Sequence, residues 1–197
     1  EVTLGDLPDA PIKSIQNAYD CELVALHTVR DGLKAEEDGY DAVVMTCLDE
    51  PGFDALKEVL HIPVTGAAQA SMHVASLAGR RFSYVLGGSG SFVGRWGGGH
   101  GVLEDLASKY GFSSKLASIR TFPAGPLDFA AQKDELGSLM LDQAQKAVDE
   151  DGADVIIGYG GLDVIGFLQD NLHVPVVSPA QASVVMASTL ARLNLAQ

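Results

Sequence analysis

The chain has 197 residues, 22 of them glycine, 47% hydrophobic content and a formal charge of -13. That length can bury a core as one α/β domain or as two small lobes, and no apolar run approaches the roughly 18 residues a membrane helix needs. The net negative field repels phosphate backbones and anionic lipid, which argues against nucleic acid and membrane surfaces as partners and leaves a small organic substrate.

In chain order, Cys21 comes first, in Asn17-Ala18-Tyr19-Asp20-Cys21, and reads as a packed side chain. With Cys47 it makes two cysteines. Two are too few for a disulfide framework and favour a reducing compartment, so a cytoplasmic location is expected. Short runs rich in β-branched residues predict strands over 42–45, 62–65, 82–86, 116–122, 155–157 and 174–177. Most are apolar on both sides, as in a parallel sheet covered by helices on both faces. Helical periodicity is read over 51–60, 67–77, 102–110, 133–150 and 180–193. The alternation indicates parallel βαβ units.

The chain echoes itself. His61-Ile62-Pro63-Val64 followed by Ala68-Gln69-Ala70-Ser71 returns as His173-Val174-Pro175-Val176 followed by Ala180-Gln181-Ala182-Ser183, at a constant offset of 112 residues. Sixteen residues before the two prolines stand Cys47 and Tyr159. Counted instead from Asp41 and Asp154, the partner of Cys47 is Gly160. The downstream match is the longer and is preferred. Both Cys47 and Tyr159 follow an apolar strand, and the carboxyl ends of parallel strands are where open α/β sheets bind ligands. Two half-repeats facing each other would set Cys47 and Tyr159 on opposite walls of one cleft.

The segment Asp41-Ala42-Val43-Val44-Met45-Thr46-Cys47-Leu48-Asp49-Glu50-Pro51-Gly52, with Ile62-Pro63-Val64-Thr65-Gly66 and Ala75-Ser76-Leu77-Ala78-Gly79-Arg80-Arg81-Phe82-Ser83, resembles the hydantoin and allantoin racemases of the aspartate/glutamate/hydantoin racemase superfamily. Gly158-Tyr159-Gly160-Gly161-Leu162 falls on the family's second motif and is also similar to the arylmalonate decarboxylase branch, apart from its cysteine. The resemblance spans nearly the whole chain. It implies an α/β fold of two pseudo-twofold lobes, each a parallel sheet flanked by helices, divided as 1–79 plus 180–197 and 80–179. The helix after Val176 would cross back to the first lobe. It also implies a cofactor-independent enzyme that abstracts a proton from a carbon α to a carbonyl, and a homo-oligomer. Catalysis would rest on Cys47 and Tyr159, with Thr46, Leu48, Gly158, Gly160 and Gly161 lining the substrate. The family opens with a strand and a substrate-touching loop that nothing before Glu1 supplies, so roughly thirty residues are expected to be missing.

The second wall departs from the family, whose racemases carry a thiol there. A thiol of ordinary pKa ~8.5 falls readily toward neutrality near free backbone amides, and a helix starting near Pro51 would provide them at Cys47. A phenol of pKa ~10 is a poor base but an adequate proton donor. Tyr159 therefore either delivers a proton or only shapes the pocket. If it does not donate, the natural reading is decarboxylation or lysis through the single thiol, and a ligand-binding homologue without turnover is the third.

Residues 87–101 carry a glycine-rich stretch after a strand, without a Gly-Lys-Ser/Thr ending and with Val93 where a dinucleotide fingerprint needs glycine. The resemblance puts this loop beside the cleft. There Ser89, Gly90 and Ser91 would meet substrate oxygen and Arg95 a carboxylate, unless it is a plain surface loop. His27, His61, His73, His100 and His173 include no zinc-type spacing, and no metal is expected. His61 and His173 read as structural. Gln69 and Gln181, at matching positions, read as packing or helix-entry residues.

Overall fold

The computed structural model describes residues 1–5, 10–12, 14–15, 17–88, 98–124 and 133–195. Its elements alternate. Helix α1 (Ala18–Glu37) precedes β1 (Val43–Met45), α2 (Phe53–Val59), β2 (Val64–Gly66) and α3 (Ala67–Ala78). Then come β3 (Phe82–Gly87), α4 (Gly98–Lys109), β4 (Leu116–Phe122), α5 (Lys133–Asp149), β5 (Val155–Gly158), α6 (Leu162–Asn171), β6 (Val176–Val177) and α7 (Pro179–Arg192). All strand pairs are parallel, in a two-stranded sheet β1-β2 and a four-stranded sheet β4-β3-β5-β6. The expected architecture of parallel sheets flanked by helices is the observed one. No helix among the described residues is long and apolar enough to cross a membrane.

Side chains on a strand alternate between faces, and the four-stranded sheet is covered on both. Phe82, Tyr84, Leu86, Val155 and Ile157 enter one buried cluster with α3 and α4 residues such as Met72 and Leu103. Their neighbours Val85 and Ile156 enter a second, with Leu136 and Met140 of α5 and Ile165 and Leu168 of α6. Met45, Phe53, Leu56, Leu60 and Val64 form a third around the small sheet. Helix α7 leaves the large sheet and packs on α3, β1 and β2. There the Thr65 hydroxyl donates to the Ser183 carbonyl at 2.9 Å.

Two helices were not anticipated. Helix α1 buries only Val24 and Gly32 fully, so its apolar stripe is thin, although Asn17 caps it by accepting from the Asp20 amide at 3.0 Å. Helix α6 carries Gly166 in mid-length, which weakens its helical pattern. The helix expected from residue 51 begins at Phe53, because Gly52 holds φ +78° and ends the preceding turn. The left-handed value suits glycine alone, and a Cβ there would lie 2.8 Å from the Ala25 carbonyl oxygen.

The internal echo is real at the level of elements: β1-α2-β2-α3 returns as β5-α6-β6-α7. Its register corrects the preferred match. Val43 pairs with Val64, but Ile156 pairs with Val176, so the second unit has one residue fewer between its strands. Along the strands Tyr159 therefore stands where Thr46 does, and Gly160 where Cys47 does. The proline count misled because the missing residue lies between strand end and proline.

Candidate active site

Cys47 sits two residues past the end of β1, in the turn that leads to α2. Its carbonyl accepts from the Glu50 amide at 3.3 Å, closing that turn. The Asp49 and Glu50 backbone amides lie close enough to its sulfur to favour the thiolate. These amides belong to the turn and not to a helix N-terminus, since α2 starts at Phe53. They do not win. Burial, followed by the Asp49 charge, pushes the Cys47 thiol up to about 12 against the two amides, so the lowered pKa expected from nearby amides is not found. At neutral pH the sulfur carries its proton.

Tyr159 directly follows β5, with its amide donating to the Val85 carbonyl at 3.1 Å. Its partly buried ring packs on the same cluster as Leu48, the neighbour of Cys47. Burial, then the Cys47 and Asp49 charges, push the phenol up to about 12. The two groups are thus within electrostatic reach of each other, at carboxyl ends of strands from different sheets.

The other expected residues spread out. Thr46 is exposed at the strand end, whereas Leu48 is a core side chain. Gly158 lies within β5, and a Cβ on it would meet Ile165 at 2.9 Å and Met140 at 3.0 Å, so that face looks into the α5–α6 core. Gly160 is partly buried in the following loop, and Gly161 is the N-cap of α6. Ser89, Gly90, Ser91 and Arg95 lie outside the described residues. His61 is largely exposed, its Nδ1 3.4 Å from Glu36. Among the described residues no group of three metal-ligating side chains gathers.

Three neighbours were given no role from sequence. Burial raises the Asp49 carboxyl, and its charge in turn raises Cys21, Cys47 and Tyr159. Glu50 is buried three residues on from Cys47, and Tyr110, just after α4, donates its phenolic proton to the Glu50 carboxylate. An acidic pair directly after a candidate thiol was the available signal. Cys21, expected only to pack, is also within electrostatic reach of Cys47, and burial and Asp49 push it up to about 12.

Parallel sheets, a thiol and a phenol at the carboxyl ends of strands in two sheets, and a half-repeat in sequence and elements define the class of two-lobed α/β enzymes that move protons without a bound group. The Asp/Glu/Hydantoin racemase model matches residues 1–187, and the chain belongs to that family. It is similar to a hydantoin racemase of Pseudomonas sp. (strain NS671), 34% identical over 183 residues, covering 92% of this chain and 70% of that one. An allantoin racemase structure from Klebsiella pneumoniae superposes with a TM-score of 0.85 at 26% identity, over 96% of this chain and 75% of its own. Unliganded arylmalonate decarboxylase shares the fold, with a TM-score of 0.60 at 22% identity over 88% of this chain and 77% of its own. The protein is a PLP-independent racemase of the Asp/Glu racemase superfamily.

Proposed function

We propose that the protein inverts a carbon next to a carbonyl in a hydantoin-like ring or an amino-acid-type substrate, with Cys47 on one wall of the cleft and Tyr159 on the other. The observation that carries this reading is the placement of Cys47 and Tyr159 just past the carboxyl ends of β1 and β5, near enough that a charge on the sulfur would raise the phenol. Similarity to hydantoin and allantoin racemases supports the substrate class. Both groups hold their protons at neutral pH, so a base has to be made. Moving the sulfur's proton onto the nearby Asp49 carboxylate creates the thiolate and leaves the net charge unchanged. The thiolate takes the α-proton, and the phenol returns one to the opposite face. Thr46, Gly160 and Gly161 complete the substrate contacts in this reading.

The lobes divide as 1–79 plus 180–197 and 80–179, a boundary supported by α7 lying on the small sheet. Two free cysteines favour a cytoplasmic location. Tyr19, Leu26 and Leu33 recur at intervals of seven on α1 and are exposed at 70%, 55% and 38%, which supports a homo-oligomer. A phenol at Tyr159, where the family's racemases carry a thiol, favours a second reading, decarboxylation or lysis with Cys47 as the only working acid–base group.

The test is exchange in heavy water. Candidate 5-substituted hydantoins and amino acids are followed by proton NMR and chiral separation. Deuterium at the inverted carbon, lost in Cys47→Ala, is the expected result. Release of carbon dioxide selects the second reading, while exchange that survives Cys47→Ala sinks both.

A further inference from the structure

The two halves of the repeat enter their second helices differently. In the second half Ser178 precedes α7 and caps it locally, its hydroxyl accepting from the Gln181 amide. In the first half the matching residue is Gly66, which has no side chain to offer. The missing acceptor is supplied by Glu50. Its Oε1 accepts from the Gln69 amide at 2.9 Å, and the Ala68 amide also donates to the carboxylate. A Cβ on Gly66 would sit 2.1 Å from that Oε1, so the glycine makes the room that Glu50 occupies.

Glu50 holds more than a helix end. Its Oε2 accepts from the Tyr110 phenol, which arrives from the end of α4 on the large sheet. Beside it Lys109 binds Asp54 at 2.6 Å. Glu50 is buried, and its backbone is left-handed at φ +50°, a conformation costly for any residue but glycine and kept only where surroundings enforce it. The Glu50 amide donates back to the Cys47 carbonyl at 3.3 Å, and the buried carboxylate anchors the residue that closes this turn.

We propose that Glu50 is the positioning residue of the site: clasped between the α3 N-terminus and Tyr110, it fixes the 47–50 turn so that two backbone amides face the Cys47 sulfur. The inference rests on Cys47 being the reacting group. Its consequence for the thiol, however, can be read without substrate.

Gly66→Ser separates the two roles of Glu50. It gives α3 the local cap that α7 already has, and its side chain displaces the Glu50 carboxylate. The expected result is a melting temperature within a few degrees of wild type, a fall in kcat of about ten-fold or more with KM nearly unchanged, and a Cys47 labelling inflection moved to higher pH. The inflection is read from iodoacetamide labelling rates by peptide mass spectrometry. Cys21 and Tyr159, the other groups near the sulfur, lie outside the turn and are untouched by the substitution. Tyr110→Phe removes one anchor and shifts the inflection the same way by less, which decides the matter should Gly66→Ser not fold. Glu50→Gln, which keeps the shape and an acceptor oxygen, recovers most of what Glu50→Ala loses. Wild-type turnover together with an unmoved inflection in Gly66→Ser, or in Tyr110→Phe where only that variant folds, overturns the proposal. A moved inflection with no racemisation in any variant upholds the clasp and removes the assigned reaction instead.

Discussion

The Cys47 sulfur is governed by a contest between burial, charge and backbone amides. Burial and the Asp49 carboxylate favour the thiol, while the amides of Asp49 and Glu50 favour the thiolate. A pKa raised above the ordinary value means that labelling at pH 8 is slow and accelerates only as pH climbs. Removing the Asp49 charge takes away one of the raising influences, so the inflection moves down. Asp49→Asn is therefore expected to label faster than wild type at pH 8, yet to turn substrate over more slowly, because the acceptor for the sulfur's proton is gone. Slower labelling in that variant would show that the carboxylate does not act on the sulfur. The thiol itself was legible in the sequence from its place after an apolar strand and the motif around it. Its protonation was not, because burial depends on what Phe53, Leu56, Leu60 and Val64 bring from further along the chain.

At the scale of elements, the turn that carries Cys47 is pinned between α1 and α2. Gly52 touches the Ala25 backbone and Gly32 leaves space for Leu56, so the two helices meet closely through small residues on both sides. Gly52→Ala must accept both a left-handed backbone and a contact at 2.8 Å with an immovable carbonyl. The expected cost is roughly 2 to 4 kcal/mol in urea unfolding, with loss of turnover because the Cys47 turn is displaced. A change below about 0.5 kcal/mol would mean that α1 yields easily. Strands were read well from sequence, since β-branched runs buried on both faces have no competing interpretation at that length. Helices α1 and α6 were missed because one is mostly polar and the other interrupted by glycine. Packing on α2, and on α5 together with β6, holds them where propensity does not.

Over the whole molecule, the outer face of α1 is the feature a single chain leaves unexplained. Tyr19, Leu26 and Leu33 line it at heptad spacing, a pattern suited to burial against a second helix. Leu26→Asp is expected to reduce the light-scattering mass toward the 20.6 kDa of one chain. An unchanged mass of one chain in wild type and variant alike would remove the oligomer. What the sequence determined by itself was whatever is local or repeated. Alternating apolar strands and helices specified parallel sheets, the 112-residue echo specified two similar halves, and the residues around Cys47 specified the family. What only the tertiary structure decided was everything that depends on contacts across the chain. The register of β5 against β6 removed one residue from the repeat and paired Tyr159 with Thr46. Nineteen residues separate Glu50 from Gln69 and sixty separate it from Tyr110. No periodicity spans such gaps. Only folding, by excluding water from a carboxylate, forces it to find those partners.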